Sequence, residues 1–202
     1  MKDWGNSRVV HQRFLPWMAG AAWLIAGLVS LALDEPTHAL DAWLLAPLTL
    51  TYLVLIRIAA DAGNALPRYG RIGFLISLSS ILPLLVGQVA ATLEWNSLMW
   101  LGFPGGLLLW TGGNALFGVA LARQPMDPRW IGYAIAIAQP AAVATGVVLS
   151  PIRELSDYGS YTGALAHGVI WLAIAHALQQ EHPVSSDAAS LVGAPRQIEA
   201  AP

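Results

Sequence analysis

The chain has no cysteine and few charged residues. Cysteine is absent from all 202 residues, and Asp, Glu, Lys and Arg together make up only 11% of them. The first absence excludes a disulfide framework, a thiolate nucleophile and a cysteine metal site. The second excludes an ordinary soluble domain, in which about a quarter of the residues are charged. The formal net charge of -2 gives no electrostatic basis for binding nucleic acid.

Long apolar stretches take the place of the missing charges. Hydrophobic residues make up 56% of the chain. A helix needs about 20 apolar residues to cross the hydrocarbon core of a bilayer. Six stretches reach that length: 14–33, 39–60, 72–93, 98–122, 130–150 and 161–178. The sequence therefore predicts an all-α integral membrane protein with six transmembrane helices and the lipid bilayer as its first partner.

The segments outside these stretches are short, except at the end of the chain. Residues 1–13 are predicted to be a cytoplasmic N-terminal segment, and residues 14–178 a single six-helix transmembrane domain. Residues 179–202 are polar and contain Pro, Ser and Ala, which is typical of a disordered cytoplasmic tail.

The positive charges are distributed unevenly between the two sides of the predicted bundle. Nine of the ten Lys and Arg residues fall on the side of the termini, and only Arg153 falls on the other. Loops rich in Lys and Arg face the cytoplasm, so both termini are predicted to be cytoplasmic. The excess of Arg over Lys is typical of a GC-rich bacterial genome. The predicted location is therefore the plasma (inner) membrane, as a multi-pass protein.

A spacing of 58 residues recurs along the chain. Arg13, Arg71 and Arg129 are separated by this distance, and each precedes an odd-numbered span. Pro83 and Pro140 lie 12 and 11 residues after the last two arginines, and we expect them to break their helices. Three helical-hairpin repeats in parallel orientation fit this spacing. Six similar spans joined by short loops would also give it without any repeat.

Three polar residues are predicted to lie near the bilayer midplane. At 1.5 Å per residue, Asn114, Gln139 and His167 lie roughly 13–17 Å from the cytoplasmic interface. We expect His167 to face the bundle interior, with Asn114 or Gln139 within hydrogen-bonding reach, because unpaired polar groups are costly in hydrocarbon. One interpretation is a polar pocket for a small ligand, with His167 accepting or donating a proton. The other is interhelical hydrogen bonding that fixes the packing of the bundle.

Enzyme signatures are weak. The segments 111–118 and 166–168 resemble rhomboid proteases, which also have six spans, with a serine on the fourth and a histidine on the sixth. Gly113 stands where the resemblance requires the serine, so no acyl-enzyme can form. Haem between helices would need histidines on two spans, and only the sixth span has any. The spans also offer no metal-ligand cluster and no lysine for a Schiff base. No catalytic residue, cofactor or metal is expected.

Two classes of function remain open. The first is a non-catalytic membrane subunit or a structural or interaction protein, whose partner is a second copy or another membrane protein. The second is a small transporter or hydrophobic-ligand-binding protein with a midplane polar site, for which the candidate residues are Asn114, Gln139 and His167. The absence of an intramembrane carboxylate disfavours ion-driven transport.

Overall fold

The computed structural model describes residues 4–33, 38–93, 95–124, 128–152 and 155–180, and most of these residues are helical. These ranges contain no strand. The 3-10 turn Gly63–Ala65 follows the second helix. The α-helices are α1 (Trp4–Ala32), α2 (His38–Ala62), α3 (Arg68–Ser79), α4 (Ile81–Thr92), α5 (Asn96–Ala122), α6 (Trp130–Leu149) and α7 (Leu155–Gln180).

Six helical segments are long and apolar enough to cross a membrane. They are Phe14–Ala32, Leu44–Ala65, Arg68–Ala91, Ser97–Ala122, Trp130–Leu149 and Tyr161–Gln180. The third segment consists of α3 and α4 together. The prediction of an all-α, multi-pass membrane protein with six spans is therefore confirmed. The predicted disordered tail lies outside the described residues from position 181 onward, as do residues 1–3, whereas α1 already begins at Trp4.

The spans follow one another around the bundle in the order α2, α1, α7, α6, α5 and the third span, and α2 touches the third span only lightly. Glycines set the close approach of α1 and α7, which form the largest contact. A methyl group added at Gly27 would lie 2.7 Å from Leu165, and one added at Gly168 would overlap Leu24. Each glycine thus receives a leucine of the other helix, which is the packing expected of small residues in membrane helices.

Glycines also seat α5 against the third span. Gly102 packs on the backbone of Gly87, and Gly106 packs on Leu84. The G-x-x-x-G pattern on α5 is therefore used for packing inside this chain.

One predicted helix break is present and the other is absent. The third span is interrupted at Ser80, whose N–H bonds to the carbonyl of Ser77 at 3.2 Å. Pro83 follows in the first turn of α4, where a backbone N–H has no helical partner to lose. The prediction for Pro140 is wrong, because α6 continues through it. Pro140 is exposed on the outside of the bundle, and α6 forgoes one backbone bond there without separating into two helices.

The centre of the bundle is filled by large apolar side chains. Several polar side chains, among them that of His167, are buried along with them. Apolar residues that are almost fully buried come from α2, α5, α6 and α7, so these helices converge on one core: Leu55, Phe117, Ile135, Trp171 and Ile174.

Candidate functional site

His167 lies inside the bundle and bonds to a neighbouring span. Its side chain is 3% exposed, and its Nε2 lies 2.9 Å from Gln139 Oε1 on α6. The imidazole also stacks on the indole of Trp23 on α1, with ring centroids 4.7 Å apart and planes inclined by 22°. The prediction that His167 faces the interior, with Gln139 in hydrogen-bonding reach, is confirmed. Its interpretation as a ligand-binding residue stays a prediction.

The bond to Gln139 fixes which imidazole nitrogen carries the proton. A carbonyl oxygen only accepts, so His167 Nε2 donates to Gln139 Oε1. In a neutral imidazole the other nitrogen then presents a lone pair. That nitrogen, Nδ1, is buried and has no hydrogen-bond partner among the described residues. His167 therefore uses one of its two polar atoms to join α7 to α6, and the part of the chain that the structure describes supplies no partner for the other.

Trp23 connects His167 to α2. Its Nε1 donates to Thr51 Oγ1 at 2.8 Å, and the Thr51 hydroxyl donates in turn to the carbonyl of Pro47, also at 2.8 Å. The hydroxyl thus both donates and accepts, and both bonds are buried. Through Trp23 and Thr51, helices α7, α1 and α2 share one chain of polar and ring contacts that begins at His167.

A second chain of contacts begins at the next residue of α2. The hydroxyl oxygens of Tyr52 and Ser80 lie 2.5 Å apart, and Ser80 Oγ donates to the carbonyl of Ser77 at the same distance. Because the single hydroxyl proton of Ser80 is used there, Tyr52 is the donor to Ser80. The Tyr52 ring meets Trp110 of α5 edge to face, with centroids 4.6 Å apart. The interruption of the third span is thus where α2 bonds to it.

Asn114 belongs to this second chain of contacts. Its Oδ1 accepts a 2.9 Å bond from Ser77 Oγ on α3. The preceding Gly113 permits the contact, because a side chain there would overlap the backbone of Ser77. Asn114 thus bonds to α3, whereas Gln139 on α6 bonds to His167 on α7. That Asn114, Gln139 and His167 form one ligand site stays a prediction.

Together these side chains form what we call the polar layer, to which each of the six spans contributes. Five of its members were not predicted from the sequence, since Ser, Thr, Trp and Tyr are common in apolar spans and do not by themselves indicate a site. An available signal was the position of Trp23 and Tyr52 far from the interfaces where such rings usually lie. The members are Trp23, Thr51, Tyr52, Ser77, Ser80, Asn114, Gln139 and His167.

The chemistry available to the polar layer is that of neutral hydrogen-bonding groups. It contains hydroxyls, amides, indole and imidazole, but no carboxylate, amine or guanidinium. Across the described residues no group of three or more His, Cys, Asp and Glu side chains could hold a metal ion. The layer is therefore suited to binding neutral polar groups, whether these belong to the protein or to a ligand.

A shallow groove of about 290 Å³ lies on the surface between α4 and the start of α5. Its lining is apolar or aromatic throughout, so it offers no group that would select a polar ligand. The lining residues are Leu85, Val86, Val89, Ala90, Trp95 and Leu98.

The arginines from Arg57 to Arg129 lie near helix ends. Arg57 is half exposed and forms a 2.9 Å ion pair with Asp61 one turn further along α2, which agrees with an interfacial position. The guanidinium of Arg123 lies 6.0 Å from the ring centre of Tyr69, joining the end of α5 to the start of α3. Exposed pairs of this kind contribute little to stability. These residues therefore show which end of the bundle carries positive charge, and their effect on its stability is small.

Comparison of the chain with family models, with curated proteins and with solved structures finds no match. The geometry of the polar layer is therefore the strongest indication of function that the molecule offers.

Proposed function

We propose that this protein is a non-catalytic membrane subunit, a closed six-helix bundle that serves a structural or interaction role. The observation that carries the proposal is the polar layer. Each span contributes a side chain that bonds to or packs on another span, and these contacts connect all six spans. A transporter needs polar groups left available to a substrate and a path that water can enter.

Single-cysteine variants test the closed bundle without background, because the natural chain has no cysteine. Ala164 is fully buried on α7, one turn before His167, whereas Val169 on the same helix is exposed on its outer face. A charged thiol reagent should label Ala164→Cys no faster than the lipid-facing control Val169→Cys. Asn64→Cys, in the exposed turn after α2, should react quickly and serves as the positive control. Rapid labelling at Ala164 would reveal a hydrated path and contradict the proposal.

The mass of the assembled protein tests whether the chain associates with other copies of itself. Native mass spectrometry of the protein released from lipid nanodiscs should give an assembly heavier than one 21.5 kDa chain. A monomer under all lipid compositions would contradict self-association, and it would leave the closed bundle intact and another membrane protein as the partner.

A ligand-binding membrane protein is the second candidate function. One observation favours it: His167 Nδ1 is buried without a partner among the described residues. In this hypothesis His167 and Gln139 form the polar part of the site, and Asn114 has a structural role.

We also propose that both termini face the cytoplasm of a bacterial cell. Support comes from the arginines at the C-terminal ends of α2 and α5 and the N-terminal ends of α3 and α6, which alternation of six spans puts on one side. The contact of Arg123 with Tyr69 joins two of these helix ends.

A relation between the first and third hairpins supports the repeat hypothesis. Trp23 and Thr51 are 28 residues apart, as are Gln139 and His167, and each pair joins the two helices of its hairpin. The second pair lies 116 residues after the first, which is twice the spacing of 58 found in the arginines. We propose that the two hairpins are related by rotation about the membrane normal. An electron cryomicroscopy map in lipid in which these pairs do not superpose would contradict this.

A further inference from the structure

Two buried nitrogen atoms on α7 lack hydrogen-bond partners among the described residues. They are His167 Nδ1 and Trp171 Nε1, on side chains that are 3% and 1% exposed. Residues four apart lie on the same face of a helix, so both side chains leave α7 on one face, one turn apart, and both are buried in the bundle interior. Burying a polar atom unpaired costs free energy that a bound partner would recover.

The two nitrogens make opposite demands on such a partner. Indole N–H only donates, so Trp171 needs an acceptor. His167 donates through Nε2 to Gln139, so its Nδ1 lone pair needs a donor. The oxygen of a hydroxyl group meets both needs with one atom, since it accepts a bond and donates another. A carboxylate lacks the proton for Nδ1, and its charge would find no cation in the polar layer.

The rest of the surroundings hold the imidazole in place for this contact. The indole of Trp23 covers one face of the ring, and Gln139 determines which nitrogen is protonated. Trp171 belongs to the central core of large apolar side chains, so a ligand that reaches it must be apolar apart from the group that bonds to the two nitrogens. These features restrict the ligand to a neutral hydroxyl whose remaining body is either absent or apolar.

We propose that His167 Nδ1 and Trp171 Nε1 form a binding site for one hydroxyl group, supplied by a buried water or by an apolar alcohol that enters from the bilayer. The hydroxyl donates to His167 and accepts from Trp171. This site goes beyond the structural role, because the contacts that join the six spans do not require it. If this site were disproved, the proposal of a closed bundle would be unaffected.

Nitrogen-15 NMR of the imidazole tests the proposal directly. The protein, labelled with ¹⁵N-histidine, is placed in lipid nanodiscs, and the resonances of His167 are identified by their loss in His167→Gln. Nδ1 should be unprotonated and shifted to the position of a nitrogen that accepts a hydrogen bond. If water is the source, this shift is present without additive, with transfer from water protons. If an alcohol is the source, it appears on titration with 1-dodecanol and not with dodecyl methyl ether, which cannot donate.

Variants at Trp171 test the second contact. Trp171→Phe removes the indole N–H while keeping an aromatic ring, and the Nδ1 shift should move toward its unbonded value. Affinity for 1-dodecanol, where that is the source, should fall roughly tenfold, the effect of losing one hydrogen bond. If the phenylalanine variant does not fold, benzothienylalanine at position 171 replaces the N–H by sulfur and keeps the ring shape. His176, which is exposed and bonded to Gln180 on the same helix, is the internal reference.

Three results would overturn the site. An Nδ1 resonance that stays at the unbonded position with and without alcohol would exclude a bound hydroxyl. A protonated Nδ1 would itself be a donor, so the hydroxyl could not donate to it, which contradicts the proposed arrangement. A bonded Nδ1 that is unaffected by loss of the Trp171 N–H would exclude the two-point contact.

Discussion

Thr51 and Tyr52 are neighbours on α2, yet they bond to opposite sides of the bundle. Thr51 accepts a bond from Trp23 on α1, and Tyr52 donates one to Ser80 in the third span. Consecutive side chains on a helix are about 100° apart, so one turn of α2 reaches both neighbours. Since α2 otherwise touches the third span only lightly, this pair connects the two sides of the ring of helices.

The bond between Tyr52 and Ser80 should contribute measurably to stability. Tyr52→Phe and Ser80→Ala should each lower the free energy of unfolding by about 0.5–2 kcal/mol, as for other hydrogen bonds between membrane helices. Because both variants remove the same bond, the double variant should lose less than the sum. Titration with a denaturing detergent measures the three values. Ser79→Ala is the control, since Ser79 bonds only to Ile76 of its own helix on the exposed side. Additive losses would show that the two hydroxyls act independently.

Adjacent glycines on α5 should respond differently to a methyl group. Gly113→Ala would overlap the Ser77 backbone, whereas an added Cβ at Gly112 would have no atom of another described helix within 4 Å. We expect Gly113→Ala to lower stability by about 1–3 kcal/mol, the usual range for overpacking. Gly112→Ala should leave it unchanged or raise it, because alanine favours the helix. Thermal unfolding in detergent gives the comparison, and equal effects at the two positions would show that α3 and α5 are not seated on Gly113.

Removing His167 should destabilise the bundle. His167→Ala loses the bond to Gln139 and the stacking on Trp23, and it leaves a cavity beside a buried amide. We expect a loss of about 2–4 kcal/mol from these combined causes. The matched control is His176→Ala on the exposed side of the same helix, where the expected change is below about 0.5 kcal/mol. A stable His167→Ala variant would mean that the polar layer does not hold α6, α7 and α1 together.

The cytoplasmic position of the termini predicts opposite labelling of two exposed turns. Ile152, which follows α6, should lie outside, and Asn64, which follows α2, should lie inside. In intact cells a membrane-impermeant maleimide should therefore label Ile152→Cys, and label Asn64→Cys only after the cells are opened. The reverse pattern would invert the topology.

Much of the fold was predictable because hydrophobicity along a span is a local property. All six spans were found from apolar length, and the inward position of His167 followed from the cost of burying an unpaired imidazole. Which side chains bond to each other depends on the rotation of each helix and on which spans are neighbours. Neither can be predicted from local composition. Asn114 shows this, because its depth matched that of His167 while its partner, Ser77, lay on another helix.

The prolines show a second limit of sequence reasoning. Pro83 and Pro140 occupy similar positions after their arginines, and only the third span is interrupted. The difference lies in the neighbours: the interruption at Ser80 is stabilised by its bonds to Tyr52 and to the Ser77 carbonyl. Pro140 faces outward and has no such partner. A proline thus permits a break, and the surrounding side chains decide whether it occurs.

The largest helix contact, between α1 and α7, has a consequence for synthesis in the cell. These are the first and last of the described helices, so Gly27 meets Leu165 only after the ribosome has translated nearly all of the spans. Until then, the glycine face of α1 has no partner from its own chain and must remain in lipid or against the insertion machinery. Completion of the ring is therefore a late event of long sequence separation, a kind of contact that slows folding.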